Sequence, residues 1–361
     1  MKTDSIPIKA AVLRKMGCPL RIEDLQMDAP RSTEILVKIM AAGICHTDIS
    51  FCDDWVDKPV VLGHEGAGIV DHVGKDVKGF RKGDHVVLSY QSCGHCRSCK
   101  SGRPARCLHF NDLNFGFMRP DGTNPLSQSG VLGSFFGQSA FANYVLATER
   151  NCVKVPRKYR IEELAPLGCG LQTGAGTVMN SLKIAAGQSV AIFGTGAVGL
   201  AAIMSAKIAG AEPIIAVDKI VSRLRLAHEL GATHMINTGK EGDLAARVFD
   251  AAANGVNYVL ETTGIPDMLE MATEILKKGG IVANIAIPNG KKKLSGGRKI
   301  IDIIQGDAVP QSFIPHLIEL YRRGRFPFDR LLRFYEFHEI NKAISDSRRG
   351  AAIKPVLLIR H

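Results

Sequence analysis

The chain has no apolar run approaching the ~20 residues that a bilayer-spanning helix needs, so neither a membrane span nor a membrane partner is expected. The opening stretch, Met1 to Gly17, carries charges but no continuous apolar centre. It does not read as a secretory signal, and the cytoplasm is the expected compartment. There is no internal repeat and no low-complexity tract. Acidic residues are in short supply, with 35 Asp and Glu against 46 Lys and Arg, for a formal charge of +11. A basic balance can signal nucleic acid or anionic ligands. The longest basic run, Lys291-Lys292-Lys293 with Arg298 and Lys299 nearby, sits among Gly, Asn and Ser and has no aromatic residues interleaved with it. It reads as a solvated loop, and no nucleic-acid partner is expected.

What the chain does have is size and glycine. Its 361 residues suffice for about two domains, and an apolar fraction of 45% supports a packed core. The 37 glycines suit an α/β protein with many tight turns. Residues 1–165 read as mostly β, with short β-rich runs at 35–40, 66–72 and 84–88 separated by glycine turns. From about 170 to 305 the rhythm changes. Strands are expected at 189–193, 214–218, 256–261 and 280–287, alternating with helices that end at Gly210, Gly231 and Lys278. Such alternation implies βαβ units and a parallel, doubly wound sheet. Segments 313–323 and 334–349 read as helical, and 354–359 as a last strand. That strand could complete the β-rich first domain, which would make the central domain an insertion.

Cys93, Cys96, Cys99 and Cys107 place four thiols within fifteen residues. Two disulfides are one reading. The other is a closed tetrahedral zinc site that holds a loop together and does no chemistry. An intracellular chain favours the zinc. Cys18, Cys52 and Cys152 have no motif around them and are expected to be buried small hydrophobes.

Gly194-Thr195-Gly196-Ala197-Val198-Gly199 follows an expected strand and opens an expected helix. In that context G-x-G-x-x-G is a dinucleotide signature. Gly194 serves a tight turn, Gly196 the close approach of a pyrophosphate, and Gly199 helix–strand packing. The helix N-terminus offers N–H groups to the phosphates. Asp218 ends the next strand, where an acid accepts from the adenine ribose hydroxyls and repels a 2′-phosphate. NAD is expected over NADP, although Lys219 and Arg223 lie nearby.

Three stretches far apart in sequence carry metal-capable residues among glycines: Cys45-His46-Thr47-Asp48, Gly63-His64-Glu65 and Gly168-Cys169-Gly170. Spacing alone does not establish that they meet. Taken in order with the four-cysteine lobe and the Gly194 turn, they resemble the zinc-dependent medium-chain alcohol dehydrogenases over essentially the whole chain. Residues 167–176, 136–141, 326–329 and 353–356 resemble in particular the aryl-alcohol (benzyl alcohol) branch, which includes geraniol dehydrogenases. The resemblance implies a GroES-like catalytic domain, residues 1–170 and 306–361, with a Rossmann domain, residues 171–305, inserted and the active site in the cleft between them. It implies Cys45, His64 and Cys169 on a catalytic zinc, and so two zinc ions per chain. Asp48 would orient His64, and Glu65 would approach the metal. Thr47 would bond the substrate oxygen. His46, Thr173 and Lys354 would contact the cofactor and Arg223 its adenosine ribose, beside Gly194, Gly196, Val198, Gly199 and Asp218.

The activity so implied is hydride transfer between NAD and a primary aromatic or allylic alcohol, giving the aldehyde, in a homo-oligomer (dimer or tetramer). The family's relay His is missing, since residues 49–50 are Ile49 and Ser50. Ser50 or water would take its place. Phe51, Trp55, Phe110, Phe115, Phe117 and Phe135 lie in segments that could line a pocket. A thiol-adduct (formaldehyde-type) dehydrogenase and a catalytically silent NAD-binding protein are the rival readings.

Overall fold

The computed structural model describes residues 5–54, 58–239, 243–285 and 294–361. Lys291–Lys293 and Trp55 lie outside the described residues. The chain divides into two compact units. The first comprises Met1–Cys169, Val309–His316 and Asp329–His361, and the second Gly170–Ala308 and Leu317–Phe328. Leu317–Phe328, read from sequence as part of the first unit, thus packs with the second.

The first unit is built on a seven-stranded sheet around the strand Glu34–Gly43. That strand pairs antiparallel with Glu65–Val73, Tyr144–Thr148 and Lys354–Leu358. Its side chains are mostly buried, which suits the run Ile-Leu-Val-Lys-Ile-Met-Ala-Ala. Register places Gly43 opposite both Glu65 and Val356. The C-terminal strand therefore does complete this unit, and the ends of three strands converge where Gly43, Glu65 and Lys354 stand. A smaller three-stranded sheet pairs Ser5–Leu13 with Arg21–Asp28 and Val60–Val61. Cys52 and Cys152 are buried, as expected, but Cys18 is exposed.

The second unit is a six-stranded, wholly parallel sheet. Numbered within the unit, its strands run 3-2-1-4-5-6, the doubly wound order of dinucleotide-binding folds. The order reverses beside Val190–Phe193, the strand that feeds the glycine turn.

Two expected elements differ. The helix Pro266–Glu274 stops short of Lys278, because Leu276 already pairs with Val256 and opens the strand Leu276–Asn284. Segment 334–349 begins inside the strand Leu332–Glu336, which runs parallel to Lys354–Leu358, and within it only Ile340–Arg348 is α-helical. A reciprocal cap between Glu336 and Glu339 marks the change, a turn signal the periodicity conceals.

Arg119 staples the two sheets of the first unit. Its Nε donates to Glu34 Oε1 at 2.7 Å and its Nη1 to Asp28 Oδ2 at 2.7 Å, with 5% of the side chain exposed. Removing the guanidinium would strand two half-dry carboxylates, which typically costs 3–5 kcal/mol. Arg119→Ala is accordingly expected to lower the urea midpoint by the equivalent of about 3 kcal/mol, and Arg119→Lys by clearly less.

Candidate metal and cofactor sites

Asp48 lies in the first turn of the helix His46–Asp54 and is fully buried. Its Oδ2 accepts the Cys45 N–H at 2.9 Å, and its Oδ1 accepts the Gly63 N–H at 3.1 Å. Oδ1 also stands 2.8 Å from His64 Nδ1. The carboxylate therefore accepts a hydrogen bond from the Nδ1–H and turns Nε2 inward. His64 is wholly buried, and its Nε2 has no hydrogen-bond partner among the described residues. A buried ring nitrogen left unpaired is costly unless something else occupies its lone pair.

The other donors stand around it. One donor atom each from Cys45, His64, Glu65 and Cys169 lie within 4.8 Å of one another. The charges require a cation. A hydrogen bond with Cys169, against the opposing effect of burial, pulls the Cys45 thiol well below its ordinary range. Burial acts to lower the His64 imidazole, yet Asp48 and Cys45 together hold it well above its ordinary value. The site draws positive charge to the point where a metal would sit. Two thiolates and an imidazole suit Zn²⁺, whose tetrahedral catalytic sites leave one position open.

Glu65 is fully buried and Lys354 is 3% exposed. Lys354 Nζ bonds both Glu65 oxygens at 3.0 Å and Ile44 O at 3.1 Å. Lys354, expected at the cofactor, also holds Glu65 in place. Burial pushes the Glu65 carboxyl up, with Lys354 pulling the other way. Gly43 makes the room: a Cβ there would come within 2.1 Å of Glu65 Oε2. Thr47 is half-buried, with its Oγ1 3.8 Å from Cys45 Sγ. Ser50 Oγ donates to His46 O at 3.1 Å, one helical turn back, and His46 is exposed.

An aromatic wall abuts His64. Phe136 stacks on the imidazole at 4.4 Å, and Phe135 meets it edge-on at 5.5 Å. Phe51 stacks on Phe115 at 5.5 Å, and Phe117 on Phe135 at 5.3 Å. Phe110 joins through Phe115. Phe136 was missed as a wall residue; its Phe-Gly sequence gives no hint that φ is +52° there, nor that φ is +56° at Phe117. A bulky residue in that region costs roughly 1–2 kcal/mol. At Phe136 the turn is held by Asn151 Nδ2, which donates to the Phe136 and Gly137 carbonyls.

The four-cysteine loop forms no disulfide. Cys93 Sγ lies 3.9 Å from Cys99 Sγ, and Cys96 Sγ 4.0 Å from Cys107 Sγ. Tetrahedral zinc with bonds of ~2.3 Å separates its sulfurs by about 3.8 Å. Backbone N–H groups of Cys93 and Cys96 point at the sulfurs of Cys107 and Cys93. Main-chain hydrogen bonds at Leu108 and Cys99 draw the Cys96 thiol down to about 6, while burial pushes Cys107 up to about 12.

In the second unit each glycine of the turn has a separate constraint. Gly194 has φ +88°, and a Cβ at Gly199 would lie 1.9 Å from Gly194 O. At Gly196 a Cβ would meet nothing within 4 Å, so its missing side chain leaves open space. Gly196 caps the helix Ala197–Ala209 without a side-chain bond, which leaves that end's N–H groups to an anion. Val198 is half-buried in the helix's first turn. Asp218 Oδ2 accepts from Thr195 N and Oγ1, each at 2.7 Å, and Oδ1 from Ile220 N at 2.9 Å. The acid braces the glycine turn, a role its sequence position did not announce. Thr173 is buried in the helix Gly170–Gly176, and Arg223 lies in the helix Val221–Leu230.

Residues 31–157 match the alcohol dehydrogenase GroES-like domain and residues 197–310 the zinc-binding dehydrogenase domain. The chain is 43% identical to the geraniol dehydrogenase of Castellaniella defragrans over 98% of each chain. It matches the crystal structure of an alcohol dehydrogenase zinc-binding domain protein from Burkholderia ambifaria with a TM-score of 0.94 at 47% identity, covering 99% of this chain and 100% of that one. The benzyl alcohol dehydrogenase of Acinetobacter calcoaceticus gives a TM-score of 0.94 at 42% identity over 98% and 100%.

Three substitutions separate these roles. Asp48→Asn keeps the shape but removes the charge that sets His64, and is expected to weaken one zinc site by about 10- to 100-fold in chelator competition while the four-cysteine zinc is retained. Gly196→Val is expected to leave the urea midpoint unchanged and weaken NAD binding at least about tenfold, because its side chain fills the pyrophosphate's space. Gly199→Val, by contrast, is expected to destabilise the second unit itself.

Proposed function

The chain belongs to the zinc-dependent medium-chain alcohol dehydrogenases, and from this premise we propose which alcohols it takes and which residues carry the reaction. It is an NAD-dependent enzyme that interconverts alcohols and aldehydes. Among the described residues, no helix is long and apolar enough to cross a membrane. The proposed substrates are primary aromatic and allylic alcohols. The observation that carries this is the wall of phenylalanine rings running from half-buried Phe115 and Phe117, through Phe51, to the rings packed on His64. Flat faces fixed by a strained main chain suit a flat, conjugated substrate. The names of the geraniol and benzyl alcohol dehydrogenases agree with such a choice.

Cys45, His64 and Cys169 would hold the zinc, which when bound would supply the Lewis acidity for an alcohol near neutrality. NAD, seated on the Gly194–Gly199 turn, supplies the hydride acceptor. The chain's own residues do the rest. Asp48 fixes the tautomer and angle of His64. Glu65, clamped by Lys354, keeps a carboxylate beside the ligands. Thr47 Oγ1 takes the departing substrate proton, and water or Ser50 Oγ carries it outward in place of a histidine. The wall of rings orients the reacting carbon and excludes water. Asp218 and Arg223 select the adenosine ribose. Cys93, Cys96, Cys99 and Cys107 hold a second, structural zinc. A cytoplasmic homo-oligomer, dimer or tetramer, belongs to the same reading.

The test is NAD⁺ reduction with benzyl, cinnamyl and geranyl alcohols beside ethanol, before and after removal of zinc. The expected result is kcat/KM at least about a hundredfold higher for the conjugated alcohols, with all turnover lost on zinc removal and the rate rising with buffer base. Equal turnover of ethanol would overturn the substrate class. Activity that needs a thiol adduct of formaldehyde would replace it.

A further inference from the structure

A second group of metal donors stands on the exposed side of the four-cysteine loop. Cys93, His95 and His109 each offer one donor atom, and the three lie within 4.8 Å of one another. Both histidines are exposed, and Cys93 is half-buried. The two imidazoles face each other at 6.0 Å between centroids, tilted by 40°. The Cys93 carbonyl accepts from His95 Nδ1 at 2.9 Å, which leaves Nε2 with its lone pair. Metal-binding histidines are held in this way, with the second ring nitrogen donating to a backbone carbonyl.

Charge favours a cation here. Four thiolates around one Zn²⁺ leave a net negative cluster, and Cys93 carries part of that charge to the loop's outer side. Arg150, packed against Gly94, offsets some of it. A thiolate and two imidazoles select a borderline metal such as Zn²⁺ or Co²⁺ over Mg²⁺ or Ca²⁺. Neither alcohol oxidation nor the structural zinc requires the two histidines.

We propose that Cys93, His95 and His109 form an accessory site for a divalent transition metal, with the Cys93 thiolate bridging that ion to the zinc of the four-cysteine site. The inference rests on that zinc reading and adds a third ion to it. The bonds are simple: both ring nitrogens donate lone pairs, and Cys93 Sγ shares a second pair without leaving its first metal.

The test equilibrates the two-zinc enzyme with Co²⁺, with metal analysis confirming that both zinc ions remain. The expected result is one further Co²⁺ per chain, with thiolate-to-cobalt charge-transfer absorption. His95→Ala or His109→Ala is expected to weaken its binding at least tenfold, with zinc content and alcohol turnover unchanged. A chain that holds zinc at the four cysteines but takes up no Co²⁺ overturns the proposal and leaves the enzyme's function untouched. So does Co²⁺ that binds without the charge-transfer band, or that binds equally well to the double alanine variant. Absence of zinc from the four cysteines overturns both the proposal and the reading beneath it.

Discussion

The first unit's chemistry depends on one buried carboxylate. Asp48 receives the main-chain N–H of Cys45, the main-chain N–H of Gly63 and the ring N–H of His64. Three groups from two separate segments thus converge on two oxygen atoms. Hydrogen bonds to a charged group are worth roughly 1.5–3 kcal/mol each, enough to fix where Cys45 and His64 stand. The inward turn of Nε2 follows from this, while Lys354 sets the place of Glu65. Among the described residues, two thiols and two carboxylates share this dry region with the Lys354 ammonium and the His64 imidazole. The remaining charge calls for a cation, and the donor set specifies which.

The two metal sites illustrate opposite ways of using cysteine. The four-cysteine loop draws all its donors from one stretch of chain, so sequence spacing alone determines the geometry and the ion can fasten only that stretch. The Cys45, His64 and Cys169 site gathers donors from three distant stretches on a preformed sheet. Such a site is expensive to assemble but leaves a coordination position for a ligand. The strained turns at Phe117 and Phe136 lie beside this second site. Strain that the surrounding packing sustains is characteristic of places where side-chain position matters more than local stability.

Much of this was legible in the sequence, for physical reasons. The glycine turn was readable because each glycine answers a local steric demand, and the sheet's strand and helix alternation is a local pattern. The four-cysteine loop was readable because its donors are near neighbours. The proposed catalytic ligand set rests on family resemblance for its sequence signal, since no spacing rule links Cys45 to Cys169. The Lys354–Glu65 pair spans 289 residues and depends on strand register, which sequence periodicity does not supply. The family motif places Lys354 at the cofactor, and only the folded strands reveal that it also clamps Glu65. Residues 334–336 read as helix from sequence, because the pairing partner of their strand, Lys354–Leu358, lies later in the chain.

A zinc site at the buried donors around His64, distinct from the four-cysteine loop, is testable by anomalous scattering from crystals of the purified enzyme, recorded on either side of the zinc edge. Two zinc peaks per chain are expected, one among the four cysteines and one at Cys45, His64 and Cys169. A single peak, confined to the four cysteines in protein fully loaded with metal, would contradict it.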